Sequence, residues 1–441
     1  MKLGKVRWVM VAAVLVIALL VPMVAMASGF VLEKSLIGGL FVFTTYTEPD
    51  VSGNNCVYLA KSTLVPGAKW QLGREDLRTG HQSIIASDTT FDIDSPAIDG
   101  DWVVWEVGGD IRAKNLTTGV VKKITNDALT TVEITPVVSG RYVVWAAFNG
   151  TDWDVWGKDL ATSHAKFLVA GGSGNQSEPS IYGTRVAFRD ASVVAPGAGQ
   201  IKVKTIGSSA GPKLITSNLL DQNSPSIGSH LVAWSVQGIG HLIVKYYNYD
   251  DDTTSIAASA DVDIFNPQVS GDRILYDYSN GTDKDTWIYD ARAARGWPFP
   301  LAFPIDNTSG DEIWGKISGN NFVYLSNGLP YWGKLAVPSL SVGSVPTRIA
   351  AGTRITLKGK LSDMSVPVGG VSLDVERRSG NKWLKIKTIT TTSSGAYSYS
   401  TPKNTVKTQY RVAYNGMFAF LGPTWLTHFS AVSSVRTAWP R

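Results

Sequence analysis

The chain is poor in residues that staple or ligate. It has one cysteine, Cys56, in 441 residues. No internal disulfide can form, so stability has to come from packing. Cys56 lies among apolar strand residues and reads as a small buried hydrophobe rather than a reactive thiol. There are five histidines, His81, His164, His230, His241 and His428, and no two have metal-ligand spacing. His230 falls in a turn, a poor place for a ligand. "DDD" at 250–252 and "DNTSGDE" at 306–312 resemble calcium ligands only loosely, and neither keeps the spacing of a calcium loop. No metal and no cofactor is therefore expected, with calcium left open but unsupported. Charged residues are only 17% against 44% apolar, which excludes a disordered chain. No nucleic-acid recognition motif is present.

What is present begins with an export signal. "MKLGKVR" is basic, "WVMVAAVLVIALLVPMV" is apolar, and "AMA" at 25–27 offers small residues before a cut at Ser28. The competing reading is an uncleaved anchor, because the run is almost long enough to span a membrane. Pro22 and the small residues favour cleavage, and no cysteine follows to carry a lipid. Residues 1–27 are expected to be a signal peptide and the mature chain to be secreted or held at the cell surface.

The rest is dominated by a repeat. "SPAIDGDWVVW" (95–105) returns as "TPVVSGRYVVW" and "SPSIGSHLVAW". Six copies align on Pro49, Pro96, Pro136, Pro179, Pro225 and Pro267, and a seventh has Gly315 there; the gaps run from 40 to 48 residues. Nine places after the anchor every copy is aromatic: Tyr58, Trp105, Trp145, Phe188, Trp234, Tyr276 and Tyr324. Four places after it stands glycine in six copies, Ser229 being the exception. Each copy reads as a short strand, a glycine turn and a buried strand ending in the aromatic. Turns such as "FNGTD" (148–152), a third strand such as "DVWGKDL" (154–160) and a fourth such as "VKKIT" (121–125) complete it.

Four strands at this period point to a propeller blade. A single blade cannot bury its faces, so the aromatics are expected to wedge between neighbours. The seventh copy ends at "LPYWGKLAV" without a fourth strand, and "LFVFTTYT" (40–47) is expected to supply it and close the ring. "SPAIDGDWVVW", "GDIRAKNLTTG" and "VKKIT", in that order, resemble the TolB-like (WD40-like) propeller family over residues 40–337. The resemblance implies a fold more than a function. Such propellers occur in secreted and surface proteins, in periplasmic partner-binding proteins and beside hydrolase domains.

Beyond residue 337 the period vanishes. Runs such as "RITLKGKL", "GVSLDVERR" and "QYRVAYNG" suggest a seven-strand sandwich over 338–441, with Trp383 packed between its sheets. "VSLDVERRSGNKWLKIKTITTTSSGAYSYS" resembles bacterial immunoglobulin-like surface modules. The expected fold is thus all-β: a signal at 1–27, a seven-bladed propeller over 28–337 closed by an N-terminal strand, and an Ig-like β-sandwich. Charge divides along the same line. Residues 339–441 hold 14 Lys or Arg against 3 Asp or Glu, while residues 28–338 hold 24 against 33. A basic sandwich could meet anionic polymers or headgroups, or its charge could be plain surface.

Candidate chemistry is thin. "GSSAG" (207–211) fits Gly-x-Ser-x-Gly but lies between two strands, where no nucleophile elbow forms. Acidic residues recur in the loops entering each copy: Asp94, Glu133, Glu178, Asp221, Asp263 and Asp311, with Glu48 and Glu312 beside them. They could make an acidic ligand-binding face or simply be solvated. The expectation is a non-catalytic binding or scaffold protein, monomeric, with a protein or cell-wall glycan partner and no nucleic acid. The alternatives are a polysaccharide lyase or glycosidase with an axial carboxylate site, and a surface-layer component.

Overall fold

The computed structural model describes residues 31–37, 44–126, 131–192, 198–238, 240–259, 262–279, 281–292, 302–305, 310–335, 337–363, 366–380, 382–421, 424–428 and 430–440. The export signal, Leu40 to Phe43 of the expected closing strand, and residues 306–309 of "DNTSGDE" lie outside the described residues. The described residues contain strands and no helix. The chain divides into two compact units, one of residues 33–289 and 302–333, the other of residues 1–32, 290–301 and 334–441.

In the first unit the strands make seven four-stranded sheets. Six take their strands in chain order, as in Thr44–Ser52, Asn55–Ser62, Gln71–Asp76 and His81–Ala86. No sheet closes on itself; each runs from one edge strand to another. The seventh departs from chain order. It runs Val31–Leu36, Leu329–Leu335, Asn321–Ser326, Glu312–Ser318. This corrects the expected closing strand. The strand that completes the sheet lies upstream of 40–47, and Thr44 to Thr47 instead open the inner strand of the first sheet. The hydrogen bond from the Ile37 amide to the Pro330 carbonyl oxygen, 2.7 Å, continues that pairing.

The repeat explains the packing. All seven recurring aromatics are at most 4% exposed. Trp145 of the third sheet packs with Val104 and Ile111 of the second. Phe188 of the fourth packs with Val144 and Val155 of the third. Trp234 packs with Ala187 and Ile201, and Tyr58 of the first sheet packs with Val323 and Leu325 of the seventh. Each large side chain removes apolar surface from water on two sheets at once, which neither sheet could do alone. The glycine after each inner strand is a conformational need. Gly53, Gly100, Gly140, Gly183, Gly271 and Gly319 all have φ between 56° and 62°, the left-handed region where a side chain is strained.

In the second unit, Thr356–Asp363 pairs with Ser339–Leu340, Val366–Pro367 and Ala396–Ser400. A six-stranded sheet runs Arg348–Ile349, Arg436–Pro440, Thr408–Tyr414, Ser372–Ser379, Lys382–Thr390, with Ala431–Val432 beside Thr408–Tyr414. Leu357, Leu361, Leu373, Val375, Tyr410 and Val412 form one shared core. Strand pieces exceed the seven expected, because short edge strands and the hairpin of Met417–Leu421 with Thr424–His428 carry no periodic signal. Trp383 is also corrected. It lies on the edge strand Lys382–Thr390, half-buried, with the Arg411 guanidinium 4.4 Å from its ring centre. A lone indole between charged neighbours is held by cation–π contact rather than by the core.

Candidate functional site

Every inner strand of the first unit breaks at the same place. The pairing slips between Thr47 and Asp50, Asp94 and Ala97, Ile134 and Val137, Ser177 and Ser180, Asn223 and Ser226, Phe265 and Gln268, and Ile313 and Lys316. The residue before the anchor is left-handed in all seven: Glu48, Ser95, Thr135, Glu178, Ser224, Asn266 and Trp314, with φ from 49° to 63°. Left-handed backbone is unfavourable for side-chain-bearing residues, and bulges cluster where a fold re-aims side chains. Proline suits the next position because a bulge leaves an amide without a ladder partner.

These bulges surround a cavity of about 480 Å³, lined by residues of all seven inner strands. Its wall includes Glu48, Asp50, Ser95, Asn266, Trp314 and Lys316. Trp314 is 39% exposed, unusual for so large a ring. Asp277, 2% exposed, fixes this sector by accepting from Asn266 Nδ2 at 3.0 Å and the Trp314 amide at 3.2 Å. Burial pushes its carboxyl up.

Carboxyl groups give the cavity its chemistry. Glu48 Oε2 accepts the Ser95 amide of the next repeat at 2.8 Å. The Glu48 carboxyl also hydrogen-bonds the Asp94 carboxyl, and its pKa is pushed up to about 7, first by burial and then by the Asp94 charge. The Ser95 amide and the Lys316 ammonium oppose the rise. Glu48 therefore carries its proton through most of the acid range. The Ser95 hydroxyl donates to Asp94 Oδ1 at 3.1 Å and fixes that carboxyl. Asp50 accepts the Val51 and Ile98 amides, each at 2.9 Å; burial raises it while Lys316 and those amides pull it back. Glu178 repeats the Glu48 bond by accepting the Ser224 amide, and burial raises it too, against Ser224 and Arg189.

The other acidic candidates do different things. Glu133 is fully buried and accepts the Trp145 indole N–H and the Lys166 ammonium, each at 3.1 Å. Asp221 accepts from Arg189 Nη2 at 2.7 Å and from the Gly199 amide at 2.6 Å. Asp263 accepts the Leu242 amide at 2.9 Å, and Asp311 pairs with Lys284 at 3.4 Å. Asp92 and Asn175 likewise accept the Trp70 and Trp153 amides. Polar residues four places before the anchor thus cap the third strand of the preceding sheet. That role accounts for their recurrence without a ligand. Of the six, Asp94 and Glu178 alone belong to the bulge network. The sequence reading left Glu48 as one loop acid among many. Its signal was a carboxylate directly before an anchor proline, shared with Glu178.

Among the described residues, no group of three or more His, Cys, Asp or Glu side chains is placed to hold a metal. "GSSAG" joins the strands Gln200–Thr205 and Lys213–Leu214, with no helix after it.

No family model matches the chain, and no curated protein matches it. Solved structures do. The β-propeller domain of the Trilobed protease from Pyrococcus furiosus is similar at a TM-score of 0.52 and 11% identity, over 64% of this chain and 91% of that one. The acylaminoacyl peptidase of Pyrococcus horikoshii is similar at 0.51 and 10% identity, over 74% of this chain and 59% of that one. A puromycin hydrolase gives 0.51 and 10% identity, over 72% of this chain and 58% of that one. The chain thus spans less than two thirds of the peptidase and of the hydrolase. At these identities the likeness establishes a β-propeller fold. It also corrects the expected non-catalytic scaffold: the similar chains are those of a protease, a peptidase and a hydrolase.

Proposed function

We propose that the chain is a hydrolase acting on peptide-like substrates in the cavity ringed by the seven bulges. The observation that carries this reading is the Glu48–Asp94 pair, two carboxyl groups in hydrogen-bond contact, one of them protonated near neutral pH. Two carboxyls that share a proton form an acid–base pair. Asp94 takes a proton from water as the water oxygen bonds to the carbonyl carbon, and Glu48 gives its proton to the carbonyl oxygen. Collapse of that adduct passes the proton from Asp94 to the leaving amine as the C–N bond breaks, and a hydroxyl proton of the adduct returns to Glu48 as the carbonyl re-forms. Hydrogen-bond contact is closer than the separation of about 5 Å or more that glycoside hydrolysis uses, so the glycosidase alternative loses its support.

The finer architecture belongs to the same proposal. The seven sheets are seven blades of one ring, closed where Val31–Leu36 joins the last sheet. The bond from the Gly53 amide to Ser318 Oγ, 3.1 Å, supports closure between the first and seventh blades. Residues 338–441 form an Ig-like sandwich, residues 1–27 direct export, and the mature chain works outside the cytoplasm as a monomer.

A fluorogenic peptide mixture incubated with the full chain tests the reading. Cleavage is expected, with kcat falling about 100-fold or more in Glu48→Gln and in Asp94→Asn, as for loss of a general acid or base. The rate should fall as pH rises above about 7, where Glu48 loses its proton. Absence of cleavage, or Glu48→Gln cleaving at the parental rate, would remove the reading.

A further inference from the structure

One turn breaks the repeat. Six copies carry a left-handed glycine four places after the anchor. The fifth copy has Ser229 there, with Gly228 before it and His230 after it. Its turn is rebuilt: the Gly228 amide donates to the Leu231 carbonyl oxygen at 2.8 Å. Arg185 Nη2 donates to the Gly228 carbonyl oxygen at 2.9 Å and also to that of Ser229. A Cβ on Gly228 would meet Val269 Cγ1 at 2.6 Å, so glycine is required for the close approach. The result is a clamped turn that presents an exposed serine beside a histidine.

The side chains form a relay. Ser229 Oγ lies 2.7 Å from His230 Nδ1, and His230 Nε2 lies 2.8 Å from Asp272 Oδ1 of the next copy. Ser229 is exposed, while the His230 and Asp272 side chains are 18% and 15% exposed. A nucleophile within reach of a base that is itself oriented by a third group is the arrangement that activates a hydroxyl. The tautomer that works has Nε2–H donating to Asp272, which leaves Nδ1 free to accept. A departure from an otherwise regular pattern is where function is expected to override local rules.

We propose that Ser229, His230 and Asp272 form a second, nucleophilic centre that accepts acyl groups from activated esters. The Ser229 hydroxyl proton passes to His230 Nδ1 as Oγ bonds to the acyl carbon, and the leaving alcohol departs with that proton. Water then attacks the acyl-Ser229 ester, its proton moves to His230, and the acid leaves as the hydroxyl is restored. Asp272 is a positioning residue. The centre is separate from the bulge cavity and does not depend on the reading given to Glu48.

The test uses the full chain with a fluorophosphonate probe and with p-nitrophenyl acetate. One adduct per chain is expected on the peptide containing Ser229, together with a burst of p-nitrophenol. Ser229→Ala should lose both while melting like the parent, because Ser229 is exposed. His230→Gln should slow labelling by about 100-fold, the usual contribution of a general base. Asp272→Asn should slow labelling without weakening reversible binding of the probe. No adduct in the parent chain, or an adduct that persists in Ser229→Ala, would overturn the proposal. Since the adduct reads Ser229 alone, that failure would leave the cavity reading standing.

Discussion

The two units use the same strand physics under opposite constraints. The first repeats one design seven times and places its charge in order. Polar residues four places before four of the anchors, Asp92, Asn175, Asp221 and Asp263, cap amides, and glutamates before two anchor prolines accept the next repeat's amide. The second has no period, and its deepest arginine–glutamate cluster among the described residues has no counterpart in a repeat. Glu376, 5% exposed, is held between Arg292, 2% exposed, and Arg411, whose Nε is 2.6 Å away. Repetition makes each contact checkable against six copies. A unit without repeats offers no such comparison.

Tryptophan gives the sharpest contrast. Trp145 is fully buried between sheets and donates to Glu133, whereas Trp383 sits half-buried at a sheet edge. Trp145→Ala should cost about 3–5 kcal/mol, the loss for a large core side chain and its cavity. Trp383→Ala should cost about 1 kcal/mol, the scale of an exposed cation–π pair. Thermal melting of both variants checks this, and equal losses would erase the distinction between wedge and edge.

Glu376→Gln comes next. It removes the charge that pairs two largely buried guanidinium groups, and breaking such a cluster on one side should cost about 3 kcal/mol. Denaturant unfolding that tracks the second unit would read it. A loss below about 1 kcal/mol would mean that solvent reaches the cluster.

A smaller effect than the loss of Trp145 or Glu376 is set by pH. Glu48 has a pKa of about 7 in the fold, against an ordinary value near 4.5. A carboxyl raised on folding binds its proton more tightly in the folded state. It favours folding below about pH 4.5, and that contribution is lost as pH rises through 7. Glu48→Gln keeps a neutral side chain at every pH. It should match the parent at pH 4 and exceed it at pH 8 by about 1–2 kcal/mol, allowing for solvent at a half-buried group. Parallel stability curves from pH 4 to 8 would contradict the burial of that carboxyl.

Much of the first unit was legible from residues alone. The anchor prolines, turn glycines and terminal aromatics are local signals repeated in register, and each has a direct structural cause. The closing strand was misplaced because "LFVFTTYT" is more strand-like than "VLEKSL", yet the inner strand of the first sheet needs Thr44 to Thr47. The bulge was not legible. Nothing in Glu48, Ser95, Thr135 or Trp314 announces a shared left-handed conformation, since the cause is the register of a neighbouring strand. The chemistry of Glu48 was hidden for the same reason. Its partners Asp94 and Ser95 stand 46 and 47 residues away. The relay at His230 was passed over because a turn is a poor place for a base, a rule that fails when the next copy supplies Asp272.

The central claim is that Glu48 holds a proton beside Asp94 at neutral pH. Carbon-13 NMR titration of glutamate carboxyls in the full chain, compared with Glu48→Gln, measures it directly. The account predicts one resonance with a midpoint of about 7 that is missing from the variant. Glutamates that all titrate near their ordinary value of 4.5, in both proteins, would contradict it.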